Sequence, residues 1–275
     1  MKKMVIGVSA LLLSLILIGA AAYLSMRYED EEEQDINDLD PGSVEVMDVV
    51  TANNEFAFDM YMKLSEEGGN MFISPWSIYT ALSMTYEGAR GNTADEMREV
   101  LHLHDNDTSR RIVHKGLAES INEDSEVELN TANSIWPQED YHILPEYVQI
   151  IEDVYKGNAQ ELDYINDPEG SRETINDWVE QKTNDRIKDL IPQGAIDPLV
   201  RLVLTNAIYF KGDWKYQFDE DLTIDGDFHL EDGGSVEVPM MHMTGTEERF
   251  SYMENDHLQM IELPYDGEKV SMFIL

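Results

Sequence analysis

The sequence predicts an α+β fold, and three observations predict it. Helix-type apolar stripes alternate irregularly with strand-type runs, which argues against a doubly wound parallel sheet. One run, Leu202–Ile208, is almost continuously apolar, the pattern of a strand covered on both faces. A turn at Asp266-Gly267 is followed by the strand-like Val270–Leu275, which marks a hairpin.

Taken in order, the chain of 275 residues opens with Lys2 and Lys3 ahead of an apolar run from Val5 to Leu24 that contains Ala20-Ala-Ala22. Two readings of residues 1–28 stay open: a cleaved signal peptide using the small residues as a processing site, or an uncleaved anchor long enough to span a bilayer. The paired lysines stay inside in either case, so both readings place the rest of the chain outside the cell. Residues 29–45 carry nine carboxylates, no base and no aromatic residue. Such a stretch cannot bury enough apolar surface to fold and is expected to be a disordered tether. The folded domain is expected over residues 46–275.

Within it, Asn70–Ile73 reads as a short extended run. Ser74 is a good N-cap, and Pro75 fits the first helical position, where its missing N–H costs nothing. The helix that follows is apolar nearly all round (Trp76, Ile78, Tyr79, Ala81, Leu82, Met84, Tyr86, Ala89) and therefore has to be buried. Gly88 and Gly91 break the chain. Thr93 and Glu96 read as a capping box for a second helix with Met97, Val100 and Leu101 on one stripe. A third helix opens at Asp167-Pro168 and places Ile175, Trp178, Val179, Ile187 and Leu190 on one face. Val236, Val238, Met240, Met241 and Met243 look like strand core rather than a soft-metal site.

Two blocks carry a family resemblance. The first is Asn70–Leu103, with its Phe-Ile-Ser-Pro-Trp-Ser-Ile start and its Gly-Ala-Arg-Gly-Asn-Thr turn. The second is Leu202–Trp214, ending in Phe210-Lys-Gly-Asp-Trp214. Both resemble the serpins, a family of serine-protease inhibitors. The spacing of Phe218, Thr223 and Phe228, and Leu258–Gly267, is similar to the same family in consistent order. The resemblance implies mixed helices packed around a large central β-sheet with a second, smaller sheet. It implies an inhibitor that offers an exposed loop as bait, is cleaved, and traps the serine or cysteine protease as the loop inserts as a new strand. It also implies that Ser74, Ser77 and Asn206 match the shutter, a polar cluster beneath the central sheet, and that Trp214 matches the breach, where insertion begins. From the residues alone, Ser74 is equally an N-cap, Ser77 a first-turn serine and Trp214 a packed aromatic.

The family pattern continues past Leu275 into the hinge, the reactive centre loop and the closing strands, including the shutter's histidine partner. None of these is in this sequence. The expectation is therefore an inhibitor when full length; the alternative is a non-inhibitory remnant or interaction module if the native chain ends at Leu275. Residues 46–275 alone are expected to be partly unfolded or aggregated.

The remaining signals exclude more than they assign. Net charge is −37, and residues 46–275 alone, with 47 acids and 16 bases, retain about −31. This acidity excludes nucleic acid as a partner, and its even spread with few lysines is expected of a salt-adapted host. No cysteine is present, so no disulfide holds the exported domain. There is no nucleophile elbow, no phosphate-binding glycine loop and no dinucleotide fingerprint. Neither catalytic residues nor a cofactor are expected. His102 and His104 are two apart with no third ligand, so no metal site is expected. Asn106-Asp-Thr108 is a lone candidate glycosylation sequon. A complete protein of this kind is expected to be monomeric.

Overall fold

The computed structural model describes residues 44–122, 127–230, 232–245 and 250–275. The expected targeting segment (1–28) and most of the acidic tether lie outside these residues. The last two tether residues, Val44 and Glu45, open the first helix, α1 (Val44–Ser65). The described residues divide into two compact units, one of residues 44–122 and 129–210, the other of 127–128 and 211–275.

The first unit is helix-rich. Helix α2 (Pro75–Gly88) is capped as expected: the Ser74 hydroxyl accepts the Ser77 N–H at 3.4 Å. Its burial is nearly complete but only partly apolar. Ser77, Thr80, Ser83 and Glu87 are as hidden as Ile78, Tyr79 and Met84. Helix α3 (Asn92–Val100) corrects one expectation. Gly91, at φ 57°, turns the chain so that it serves as N-cap itself, and Thr93 falls inside the helix with no capping box. Asn92 Nδ2 instead donates to Glu96 Oε1 at 3.1 Å. Val100, placed on the apolar stripe by spacing, is 61 % exposed, while Leu101 is buried. Helix α4 (Asp107–Asn122) leads to strand β1 (Val127–Pro137), then helix α5 (Pro145–Asp153), strand β2 (Asn158–Ala159) and helix α6 (Pro168–Lys182).

Asp167 caps α6 by accepting the Gly170 N–H at 3.0 Å. The helix stops at Lys182, so Ile187 and Leu190 lie beyond it rather than on its stripe. Asn184 and Asp185, both with positive φ, carry the chain away. Strand β3 (Leu202–Gly212) is buried through its middle on both faces, as its apolar run predicts.

The strands of this unit form one sheet in the order β2-β1-β3, β1 and β2 being parallel with Ser134 opposite Asn158. Three apolar clusters hold the unit. The first joins Ala52 and Phe56 of α1, Ile78, Tyr79 and Tyr86 of α2, and Leu101 and Leu103 after α3. The second sets Met84 against Ile135, Ile150, Ile151, Tyr155 and Leu204. In the third, Trp136, Tyr164, Ile175, Ile191, Val200 and Val203 pack the sheet against α6. Each fully buried aliphatic or aromatic side chain here stabilises by about 1.5–3 kcal/mol.

The second unit contains a short 3-10 turn (Glu220–Leu222) and an antiparallel ribbon of β4 (Ile224–His229) and β5 (Ser235–Met240). It also contains a three-stranded antiparallel sheet of β6 (Tyr252–Glu254), β7 (Gln259–Pro264) and β8 (Ser271–Ile274). The expected hairpin is present: Pro264 pairs with Ser271 across a turn in which Gly267 takes φ 82°. The methionine strand is not core. Val236 and Met241 are exposed, and Val238 and Met240 are only half-buried.

Candidate functional site

Asn206 lies in the buried middle of β3, where an amide must find partners or cost free energy. It finds two. The Ser77 hydroxyl donates to Asn206 Oδ1, and Asn206 Nδ2 donates to Asn133 Oδ1 at 2.6 Å. Asn133 Nδ2 in turn donates to the carbonyl of Tyr155 at 3.4 Å. The structure thus brings together three of the expected residues: Ser74 as the cap of α2, Ser77 one turn on, and Asn206 across from them. All three joined residues Ser77, Asn206 and Asn133 are buried. Asn133 escaped the sequence reading, although an asparagine just before the apolar Ile135-Trp136 of a strand is the same kind of signal that Asn206 gives. Beside this chain, Trp136 Nε1 donates to Thr205 Oγ1 at 2.9 Å, and the Trp136 ring meets Trp178 edge-on with centroids 5.6 Å apart.

Trp214 belongs to the second unit. Its ring stacks on Tyr265, with centroids 4.4 Å apart and planes 14° from parallel, and the two residues form an isolated antiparallel bridge. Lys215 N–H donates to the Pro264 carbonyl at 3.0 Å, fixing the turn after β3 to the β7–β8 hairpin.

A second polar group, unread from the sequence, is built on the buried carboxylate of Glu87. Arg110 Nη1 reaches Glu87 Oε1 at 2.8 Å and Arg111 Nη2 reaches Oε2 at 2.6 Å, while the Tyr155 hydroxyl donates to Oε1 at 2.8 Å. Burial acts to raise the Glu87 carboxyl, but the Arg110 and Arg111 guanidinia outweigh it and hold the group below the usual carboxylate range. Burial and then the Glu87 charge push the Tyr155 phenol well above its ordinary value. The signal for this group was Glu87 itself, a carboxylate in a helix that otherwise reads as buried.

Asn106 sits exposed just before α4, its Oδ1 accepting the Ser109 N–H at 3.1 Å. His102 and His104 are engaged by carboxylates of α1. His102 Nε2 lies 2.8 Å from Asp59, and His104 Nε2 lies 3.5 Å from Asp48. His104 Nδ1 accepts the Asn106 N–H at 3.1 Å. Among the described residues no group of three or more histidines, aspartates or glutamates is arranged to hold a metal ion. No described helix is long and apolar enough to cross a membrane.

A family model described as Serpin (serine protease inhibitor) matches residues 51–275. An uncharacterized serpin-like protein of Thermococcus kodakarensis is 45 % identical over 229 residues, spanning 82 % of this chain and 52 % of its own length. The leukocyte elastase inhibitor of Bos taurus is 37 % identical over 231 residues, spanning 82 % of this chain and 59 % of its own. Among solved structures, emu ovalbumin superposes with a TM-score of 0.77 at 32 % identity, covering 82 % of this chain and 62 % of that one. The chain therefore spans between about half and two thirds of the length of the relatives it matches.

Proposed function

Because this chain belongs to the serpin family, we propose that the protein, at full length, inhibits serine-type endopeptidases by reactive-loop cleavage and strand insertion. The observation that carries this reading is the buried relay Ser77–Asn206–Asn133. It ties the middle of strand β3 to the start of α2, with Ser77 and Asn206 at positions the family resemblance assigns to the shutter. Ser74, Ser77 and Asn206 then act on the movement of the sheet, and Trp214 on the start of insertion at the breach. No residue has a catalytic role, and the partner is a serine or cysteine protease. Support comes also from the relatives whose name states an elastase inhibitor, at 35–37 % identity.

The apolar segment after Lys2 and Lys3 supports a location outside the cell, secreted or held by residues 5–24, and the acidity supports a salt-adapted host. Asn106 is the residue a glycan would use.

The test is to isolate the intact protein from its host and incubate it with elastase-like, chymotrypsin-like and subtilisin-like serine proteases and a papain-like cysteine protease. A covalent complex that survives denaturing electrophoresis, with stoichiometric loss of protease activity, is the expected result. Cleavage of the protein as an ordinary substrate by every protease, with no complex, overturns it. An intact mass above 31.5 kDa, the mass of these 275 residues, is expected alongside.

A further inference from the structure

Helix α4 meets α2 through a buried layer that the inhibitory reading does not use. The His114 ring is 2 % exposed and lies between the indole of Trp76, at 4.8 Å and nearly parallel, and the phenol ring of Tyr155, at 4.6 Å. Its Nε2 has no hydrogen-bond partner among the described residues. One turn earlier on α4 stands the equally buried Arg110.

The charges around this layer are already assigned. From α4 come Arg110, Arg111 and the half-exposed Asp107, which takes Arg110 Nη2 at 2.9 Å. From α2 come Glu87 and the phenols Tyr79 and Tyr86, the Tyr86 ring lying 4.8 Å from the Arg110 guanidinium. From α5 and the segment after it come Tyr147 and Tyr155, and Lys156 pairs with Glu119 of α4 at 2.8 Å. The α1 carboxylates Asp48, Glu55 and Asp59 are engaged with His104 and His102. Among the described residues the carboxylate that a proton on His114 would feel is the buried Glu87, and both of its oxygens are already held by Arg110 and Arg111.

We propose that His114 is an acid-sensitive pin: neutral, it lets α4 seat on α2 and Tyr155; protonated, it adds an unpaired cation to the layer and releases α4. Burial and then the Arg110 charge lower the imidazole to about 3 from its ordinary 6.5. A group whose folded pKa is lowered in this way resists protonation while α4 is seated. The seated state is thus fully favoured above pH 6.5 and loses ground as pH falls toward 3. One proton taken up on opening raises the open population by up to tenfold per pH unit below the ordinary histidine pKa, hence roughly 25-fold between pH 7 and pH 5. Glu87 ionises below its ordinary 4.5, so its titration lies outside this window.

The experiment is amide hydrogen exchange on the intact protein at pH 7 and pH 5, with times corrected for intrinsic exchange, following peptides of residues 107–122. Opening of α4 about 25-fold more frequent at pH 5, with peptides of α6 unchanged, is expected. His114→Phe and His114→Gln are both made, so that a folding failure of one leaves the other. Either removes the proton acceptor and is expected to abolish the pH-dependent part in α4. Corrected exchange in α4 that is the same at both pH values overturns the proposal. So does an acid opening that persists unchanged in a folded His114 variant.

Discussion

Removing the charge of Glu87 is the sharpest perturbation the structure offers. Its side chain is 1 % exposed and that of Arg110 2 %, so solvent does not screen their contact. Glu87→Gln keeps the shape and one acceptor oxygen but leaves Arg110 with the half-exposed Asp107 alone and takes from the partly buried Arg111 its carboxylate partner. Breaking a buried pair from one side costs about 3–5 kcal/mol, because the surviving ion cannot be rehydrated. In a domain of this size that corresponds to a melting temperature lower by roughly 8–16 °C at about 4 kcal/mol. Urea unfolding of the intact protein and of the variant at pH 7 measures it. A companion variant replacing Glu87, Arg110 and Arg111 together by leucine or methionine is expected to recover most of the loss, since nothing charged then stays buried. The pH dependence follows with its sign. The folded carboxyl ionises below its ordinary 4.5, so its contribution is present above about 4.5 and is lost as pH falls through the folded value. Glu87→Gln should therefore flatten the acid limb of the stability profile. A loss under about 1 kcal/mol would refute the reasoning, because the arginines would then have to be solvated.

Four further perturbations have expected outcomes. Ser77→Ala leaves Asn206 Oδ1 without its donor inside the sheet and should cost about 1–3 kcal/mol by denaturant melt; Ser74→Ala, which removes only a cap, should cost about 1 kcal/mol. Ile175→Ala opens a cavity where the α6 face meets Trp136 and Val203 and should cost about 2–5 kcal/mol, read by the same melt. Residues 46–275 expressed alone should bind a hydrophobic dye strongly, since Phe58, Met62, Phe72, Phe228 and Phe273 are exposed, and should gain stability from dilute buffer to molar KCl as salt screens the acidic surface. A sharp cooperative melt without dye binding, unaltered by salt, would contradict both.

Local chemistry made much of this legible. Ser74-Pro75 and Asp167-Pro168 are strong start signals whose side chains cap in the way their types require, and the apolar run of β3 fixed a buried strand. The errors came where tertiary context decides. The capping box at Thr93 failed because Gly91 adopts a left-handed turn that only the backbone records. The stripe of α6 overran because its period continues past the helix end, and the period does not know about the positive φ at Asn184 and Asp185. Of the candidate site, Ser77 and Asn206 were visible as polar interruptions of apolar runs. Arg110 and His114 were not, because α4 mixes charge and apolar residues like any surface helix, and their burial depends on Glu87 and Tyr155 arriving from elsewhere in the chain.

Tyr155 presents two ends to two different circuits. Its carbonyl terminates the amide relay that begins at the Ser77 hydroxyl, and its own hydroxyl feeds the Glu87 carboxylate. The relay has a fixed sense: if Asn206 and Asn133 both reversed, the Tyr155 carbonyl would lose its donor. One residue thus serves as a junction at which backbone and side chain can be cut separately. Phenylalanine there severs the phenolic branch and leaves the carbonyl branch conducting. Comparing that variant with Asn133→Ala would show whether a disturbance beneath strand β3 is heard at helix α4, or whether the two circuits merely share a wire.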